Sequence, residues 1–468
     1  MDLSLGFAYT SYPPLYPYLI QGVDSLLGEN TPQHARQINF VLLIATVFLF
    51  YLTSRTLLKR AHFALLFFLI SFSTFTLRFA MLDEVTWART STTCFFLGIL
   101  ALIFVLVYES KITSKGNINR NKLVFLFFAG FFSAASVLAK QHGVLICVTI
   151  AIHLFFKSIS SKFEIARWHL KPLLTYAGFT IFFLGIATLY LEVKNDGNFI
   201  EVAFISMGKS LNFDVQTENG FPVLSWSHSF NMLNDLYENQ YHYFWLTVIG
   251  CLYAALKKKW NILHTSFITL LLFTPYLATS IGSGPSYYWP IWWVVCTLST
   301  FTLFEIWFLS DLEKQFYFQK IFLAFSLLIL LFATRHSYRF RGNAYLIAPN
   351  AEIENKMEES NAFIQHLVHE DPSRTFLLDR YTGPLFHADK PFLAETCMLY
   401  HGYLGGAINI TNWVERIERQ EFFLITTNMW LNRIKEVRTA IEKNYKISIK
   451  YSKAMDNGRI SPTVWIRK

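Results

Sequence analysis

Residues 123–156 read LVFLFFAGFFSAASVLAKQHGVLICVTIAIHLFF, two apolar runs parted only by Lys140-Gln141-His142-Gly143. An α-helix rises about 1.5 Å per residue, so roughly 20 apolar residues cross a hydrocarbon core about 30 Å thick. The first run, 123–139, comes close to that length. The second, 143–156, is short for a span, and its crossing rests on the charges that flank it. Further runs at 39–58, 62–80, 91–108, 173–191, 242–256, 263–281, 287–309 and 320–335 extend the pattern. With about ten spans of about 20 residues each, the chain is predicted to be an α-helical polytopic membrane protein. Composition agrees: 53% of the 468 residues are hydrophobic and 16% charged, against about 25% charged in soluble domains.

Basic residues collect in every second loop. Arg55, Lys59 and Arg60 form the first group, then Lys111, Lys115, Arg120 and Lys122, then Lys157, Lys162, Arg167 and Lys171, then Lys257, Lys258 and Lys259. Lys and Arg accumulate on the cytoplasmic side of membranes. The intervening segments, 83–89, 140–143, 192–241 and 282–290, are therefore expected outside, and the alternation survives only if 143–156 crosses. The same parity puts both chain ends outside. The net charge of +9 follows from these loops. No basic run is interleaved with aromatics as a nucleic-acid groove would require, so a nucleic-acid partner is excluded. The five cysteines contain no CxxC pair, and four stand inside apolar runs, against a disulfide framework or a zinc site.

Three regions follow: an external interfacial segment 1–38, a transmembrane domain 39–335 with an external loop 192–241, and an external soluble α/β domain 336–468. In the last, 351–368 has helical spacing, 375–378 and 421–426 read as buried strands, and 430–444 is again helical. Residues 446–451 and 463–466 alternate like the arms of a hairpin, with Asp456-Asn457-Gly458 as turn material.

Residues able to carry chemistry gather in the external segments. Prolines hold Tyr9–Tyr18 extended and present Tyr12 and Tyr16 at headgroup depth, as an aromatic belt also would. Asp83 and Glu84 with Arg89 could hold a divalent cation or deprotonate a hydroxyl beside a phosphate, although a short loop is polar merely to turn. Lys140, followed by Gln141 and His142, could neutralise an anionic lipid phosphate on a side with few other cations. The turn 282–290 carries Tyr287 and Tyr288, suited to stacking a sugar or to the membrane interface. Asp379–Pro384 reads as a turn rather than a binding loop.

In order and on one side of the membrane, these motifs resemble the bacterial polytopic glycosyltransferases of the C-type fold, the protein O-mannosyltransferase and aminoarabinose transferase group. The likeness rests on Tyr12-Pro13-Pro14-Leu15-Tyr16, Ala35-Arg36-Gln37, Trp87-Ala88-Arg89, Leu138-Ala139-Lys140-Gln141 and Tyr287-Tyr288, and it covers most of the chain. It implies a polyprenyl-phosphate-linked sugar as donor, an external lipid, glycan or protein hydroxyl as acceptor, and inversion at the anomeric carbon. It also implies that Lys140, Arg89 and Arg36 bind the donor phosphate, and that Tyr12, Tyr16, Gln141, His142, Tyr287 and Tyr288 line the substrate site. The family's general base ends a first span placed before the Tyr-Pro-Pro segment, whereas Met1 stands just ahead of that segment here. The chain thus reads as lacking that span, with Asp2 the nearby carboxylate and Asp83 or Glu84 as candidate bases. Relatives often carry an acid two positions beyond the Arg of Trp-Ala-Arg, where this chain has Ser91. No P-loop or GxGxxG is present. The alternatives are a transporter or flippase of a lipid-linked substrate, disfavoured by ionisable residues gathered at span ends, and an inactive glycan-binding membrane protein.

Overall fold

The computed structural model describes residues 15–28, 31–58, 90–111, 120–160, 170–194, 225–238, 241–279, 285–308, 351–379, 409–428, 430–456 and 461–468, with isolated positions between them. The chain divides into two compact units. One comprises Tyr12–Leu189 with Ser225–Gly342, the other Met1–Ser11, Tyr190–Leu224 and Asn343–Lys468.

The first unit is helical. Its described helices are α1 (Leu15–Leu27), α2 (Thr31–Leu58), α3 (Thr90–Lys111), α4 (Arg120–Ala139), α5 (Val144–Ser160), α6 (Lys171–Lys194), α7 (Trp226–Glu238), α8 (Tyr241–Leu256), α9 (Ile262–Leu277) and α10 (Trp289–Phe308). Among the described residues five helical segments are long and apolar enough to cross a membrane: Gln37–Leu58, Thr90–Lys111, Lys122–Ala139, Gln141–Ile159 and Lys171–Lys194. The apolar stretch 143–156 gains length from a 3-10 turn at Gln141–Gly143 before it and four helical residues after it. The N-terminal segment holds α1 and the first turns of α2, and α7 occupies part of 192–241. The predicted spans 62–80 and 320–335 fall largely or wholly outside the described residues.

Two joints set how α3, α5, α9 and α10 meet. At one end of the bundle, where α3 and α5 finish and α9 begins, Glu109 accepts hydrogen bonds from His153 Nε2 (2.9 Å) and the Ile262 amide (3.0 Å), with Lys157 Nζ 3.1 Å away. The other ring nitrogen of His153 meets Thr265 Oγ1 at 2.8 Å, and the Asn261 side chain caps α9 by accepting from the Leu263 amide. At the same end Lys259 donates to Glu305 of α10 at 2.7 Å, which raises the lysine pKa. The middle of the bundle is filled by large rings: Trp292 and Trp293 are fully buried, and Trp293 lies 5.4 Å from Phe50 of α2. Gly250 of α8 lets α10 approach so closely that a Cβ there would overlap Thr302. By contrast α6 leaves Ile181, Phe182 and Ile186 more than half exposed, as a lipid-facing helix does.

The second unit contains α11 (Ala351–Glu370), β1 (Phe376–Leu377), α12 (Thr411–Glu418), β2 (Leu424–Thr427), α13 (Lys435–Asn444), β3 (Tyr445–Ile447), α14 (Ile449–Ala454) and β4 (Thr463–Arg467). The strands form one sheet in the order β1-β2-β4-β3, with β1 and β2 parallel and the other pairs antiparallel. Side chains alternate across it. Phe376, Leu424 and Val464 pack with Ile364 and Leu367 of α11, while Leu377 and Ile425 pack with Trp413, Ile417, Val437 and Ile441. The hairpin arm expected at 446–451 is shorter than its alternation predicts. Ser448 accepts from the Tyr451 amide and caps α14, so the chain turns into a helix before returning as β4.

Asp379, expected in a turn, is a buried hub. Its carboxylate accepts from Thr396 Oγ1 (2.7 Å) and from the amides of Asn428 and Trp430 (2.9 Å each), tying the end of β1 to the loop after β2. Replacing it by alanine leaves those buried donors without an acceptor, and each costs about 1–3 kcal/mol. Asp379→Ala is therefore expected to raise amide hydrogen exchange across β1 and β2 while α3 to α5 stay protected, as mass spectrometry of the intact chain would show.

Candidate functional site

The loop Lys140–Gly143 is built by backbone constraints. α4 ends as Lys140 turns extended (φ −160°, ψ 138°), its amide still bonded to the Ser136 carbonyl at 3.0 Å. The Gly143 amide then closes on the Lys140 carbonyl at 2.9 Å and α5 starts at once. Gly143 packs directly on the α4 backbone: a Cβ there would lie 2.4 Å from Ser136 C and from Val137 N. No flexible side chain can yield at that contact, so the residue must be glycine.

This tight reversal points Lys140 inward. The residue is 6% exposed, its Nζ donates to Ser91 Oγ at 2.9 Å, and the ammonium sits 4.6 Å from the centroid of the Tyr287 ring. Tyr287 also meets the His142 ring edge-on, centroids 4.0 Å apart. Ser91 lies in the first turn of α3, Lys140 directly follows α4, and Tyr287 lies in the 3-10 turn Pro285–Tyr288 that leads into α10, so three separate chain segments converge. Ser91 thus supplies a neutral hydroxyl to the lysine.

Ser91, Lys140, His142 and Tyr287 line one cleft together with apolar side chains. Phe95, Ile99 and Leu102 of α3, Leu145 and Ile146 of α5, and Leu270 of α9 line it. From Ser91 to Leu102 the wall follows about 16 Å of helix at ~1.5 Å per residue. One buried ammonium in a largely apolar cleft, the one such cation lining it among the described residues, suits a ligand with an anionic head and a hydrocarbon tail. Two buried polar atoms in the lining, His142 Nδ1 and Thr274 Oγ1, make no hydrogen bond among the described residues. Buried polar groups left so cost about 1–3 kcal/mol each.

Other expected site residues fall differently. Tyr288 is outside the cleft lining: its hydroxyl donates to the Ser229 carbonyl at 2.9 Å and lies 2.7 Å from Ser229 Oγ, which itself reaches the Pro275 carbonyl. Tyr16 is buried where α1 meets α2, donating to the Ala35 carbonyl at 3.0 Å, and α1 is held further by an Asp24–His34 pair at 2.5 Å. Gln141 is half-buried within the loop. Arg36 lies on α2, its side chain undescribed, and Asp2, Tyr12, Asp83, Glu84 and Arg89 lie outside the described residues. Among the described residues no three His, Cys, Asp or Glu gather as a metal site would need. Cys94, Phe95 and Thr274 went unnoticed in the sequence because nothing in an apolar span marks which face lines a groove.

The helical unit with this cleft has counterparts among solved structures. ArnT from Cupriavidus metallidurans bound to undecaprenyl phosphate superimposes with a TM-score of 0.60 at 10% identity, over 98% of this chain and 88% of that one. The fold is that of the C-type membrane glycosyltransferases. The oligosaccharyltransferase of Archaeoglobus fulgidus, tethered to an acceptor peptide containing the NVT sequon, gives a TM-score of 0.54 at 14% identity over 95% of this chain. The same archaeal enzyme, AglB, in complex with an inhibitory peptide and a dolichol-phosphate gives 0.55 at 13% identity over 95% of this chain. The chain spans 65% and 66% of the length of those two archaeal structures. No protein-family model and no curated protein matches the sequence. With this C-type fold, the chain is a multi-pass membrane protein.

The Gly143 contact gives a direct test of how the loop is built. Gly143→Ala is expected to lower stability by about 1–3 kcal/mol, the usual cost of overpacking, seen as a lower melting temperature of the detergent-solubilised protein.

Proposed function

We propose that this chain is a glycosyltransferase that moves a hexosyl or pentosyl group from a polyprenyl-phosphate donor to a hydroxyl of a lipid, glycan or protein acceptor. The reaction takes place on the external side of the cell membrane, where the second unit also lies, and inverts the anomeric carbon. The observation that carries this reading is Lys140, held by Ser91 and Tyr287 in a cleft lined mostly by apolar side chains. Support comes from the fold shared with ArnT, whose structure holds undecaprenyl phosphate, and with AglB, whose structure holds dolichol-phosphate.

In this scheme the prenyl tail stays in the cleft and the phosphate rests against the Lys140 ammonium. An acceptor oxygen attacks the anomeric carbon from the face opposite the phosphate. The bond between that carbon and the phosphate oxygen breaks, its electron pair leaves with the phosphate, and Lys140 stabilises the charge that develops there. The acceptor proton passes to a carboxylate, for which Asp83 and Glu84 are our assignments and Asp2 the reserve. Arg89 and Arg36 would add cations on the phosphate side, and the loop carboxylates could hold a divalent cation.

Membranes carrying the protein, given radiolabelled polyprenyl-phosphate sugars, are expected to transfer label to lipid, glycan or protein. Vesicular export of sugar with the donor intact would point to a transporter. A hydrogen bond to a charged group contributes about 1.5–3 kcal/mol, so Lys140→Met is expected to weaken donor binding roughly ten- to hundredfold. Unchanged binding would reduce Lys140 to a structural residue. Loss of transfer at normal protein level in Asp83→Asn or Glu84→Gln would identify the base; full activity in both would remove that loop from the site.

A further inference from the structure

The cleft holds two polar atoms that the scheme above does not use. His142 Nδ1 and Thr274 Oγ1 are both buried and both without a hydrogen-bond partner among the described residues. They come from different elements, the 3-10 turn after α4 and the last turn of α9, yet line the same cleft as Lys140. Thr274 is only 1% exposed, so solvent does not satisfy it. The same lining holds the apolar Leu270 and Leu277 of its own helix and Leu145 and Ile146 of α5. A hydrocarbon tail lying against these two atoms would leave both unsatisfied, whereas a head group rich in oxygen would satisfy both.

We propose that His142 and Thr274 complete, with Lys140, a three-point seat for the phosphate of a polyprenyl-phosphate lipid; this rests on the reading of the cleft given above. All three groups can donate: the lysine ammonium always, the threonine hydroxyl by rotation, and the imidazole in the tautomer with its proton on Nδ1. Lys140 and His142 stand in one loop and Thr274 on α9, so donors from two elements face the same cleft and can meet different oxygens of one tetrahedral anion. The edge-on contact with Tyr287 fixes the His142 ring, and Tyr287 also faces the Lys140 ammonium, so one aromatic ring orients two of the three donors. The apolar wall from Phe95 to Leu102 makes the anion a lipid's head group rather than a free ion. Thr274 and His142 thereby decide where the phosphate stops and hence where the sugar stands.

The test uses the full chain in nanodiscs, with undecaprenyl phosphate, undecaprenol and inorganic phosphate as probes and binding read by native mass spectrometry. Thr274→Val and His142→Phe keep the shape of the wall, the latter also keeping a ring against Tyr287. Each is expected to weaken binding of undecaprenyl phosphate about tenfold, the effect of one hydrogen bond to a charged group, and to leave undecaprenol binding unchanged. Thr274→Ser and His142→Asn, which restore a donor, are expected to recover most of the affinity. Wild-type affinity in the Val or Phe variant, while Lys140→Met is weakened, would overturn the seat for that side chain and leave the lysine assignment standing. Failure of the wild-type chain to bind undecaprenyl phosphate, or an unaffected Lys140→Met, would overturn the cleft reading and this proposal with it. Inorganic phosphate competing as strongly as the lipid would overturn the lipid source.

Discussion

A lysine brought out of water at the end of an apolar helix needs partners for its charge, and the site depends on how Lys140 finds them. Burial of an ammonium is costly unless hydrogen bonds and nearby electron density compensate. Ser91 supplies the hydrogen bond and Tyr287 the aromatic face. Each belongs to a segment that leads into a different helix, so holding the ammonium also brings the ends of α3, α4 and the turn before α10 together. The Gly143 contact with the α4 backbone enforces this geometry, because the reversal that turns Lys140 inward has no room for a side chain at that point.

The opposite end of the same bundle is closed by charge rather than shaped around an opening. Glu109 takes hydrogen bonds from α5 and α9 together, and Lys259 pairs with Glu305. Polar groups are thus satisfied internally where the helices are pinned and left available where the cleft opens. At the cleft end His142 Nδ1 and Thr274 Oγ1 are among the buried atoms that find no hydrogen-bond partner among the described residues.

Much of the architecture was legible in the sequence. Apolar runs and basic loops located α2 to α6 and α8 to α10, since a helix in lipid must satisfy its backbone internally and stay apolar for about 20 residues. The segment 143–156 looked too short because the polar Lys140–Gly143 loop hides a helical turn before it and the helix runs on to Ser160 after it. Buried apolar runs located β1 and β2 and alternation located β3 and β4, but the arm read to 451 failed from 449 because Ser448 offers a capping oxygen, a local bond that alternation does not register. Tyr287 and Tyr288 looked equivalent in sequence. One faces Lys140 and the other is anchored on Ser229, a distinction made by the turn at Pro285–Tyr288 and the partner helices.

The sequence by itself determined that this is a polytopic membrane protein with its polar motifs at helix ends, because hydrophobic length and loop charge are properties of contiguous residues. It also singled out Lys140, a cation at an otherwise uncharged span end. Only the tertiary structure decided that Ser91, His142, Thr274 and Tyr287 share a cleft with it. They are separated by up to about two hundred residues, and which face of an evenly apolar helix such as α3 or α9 looks inward follows from packing between helices, not from any period written along the chain.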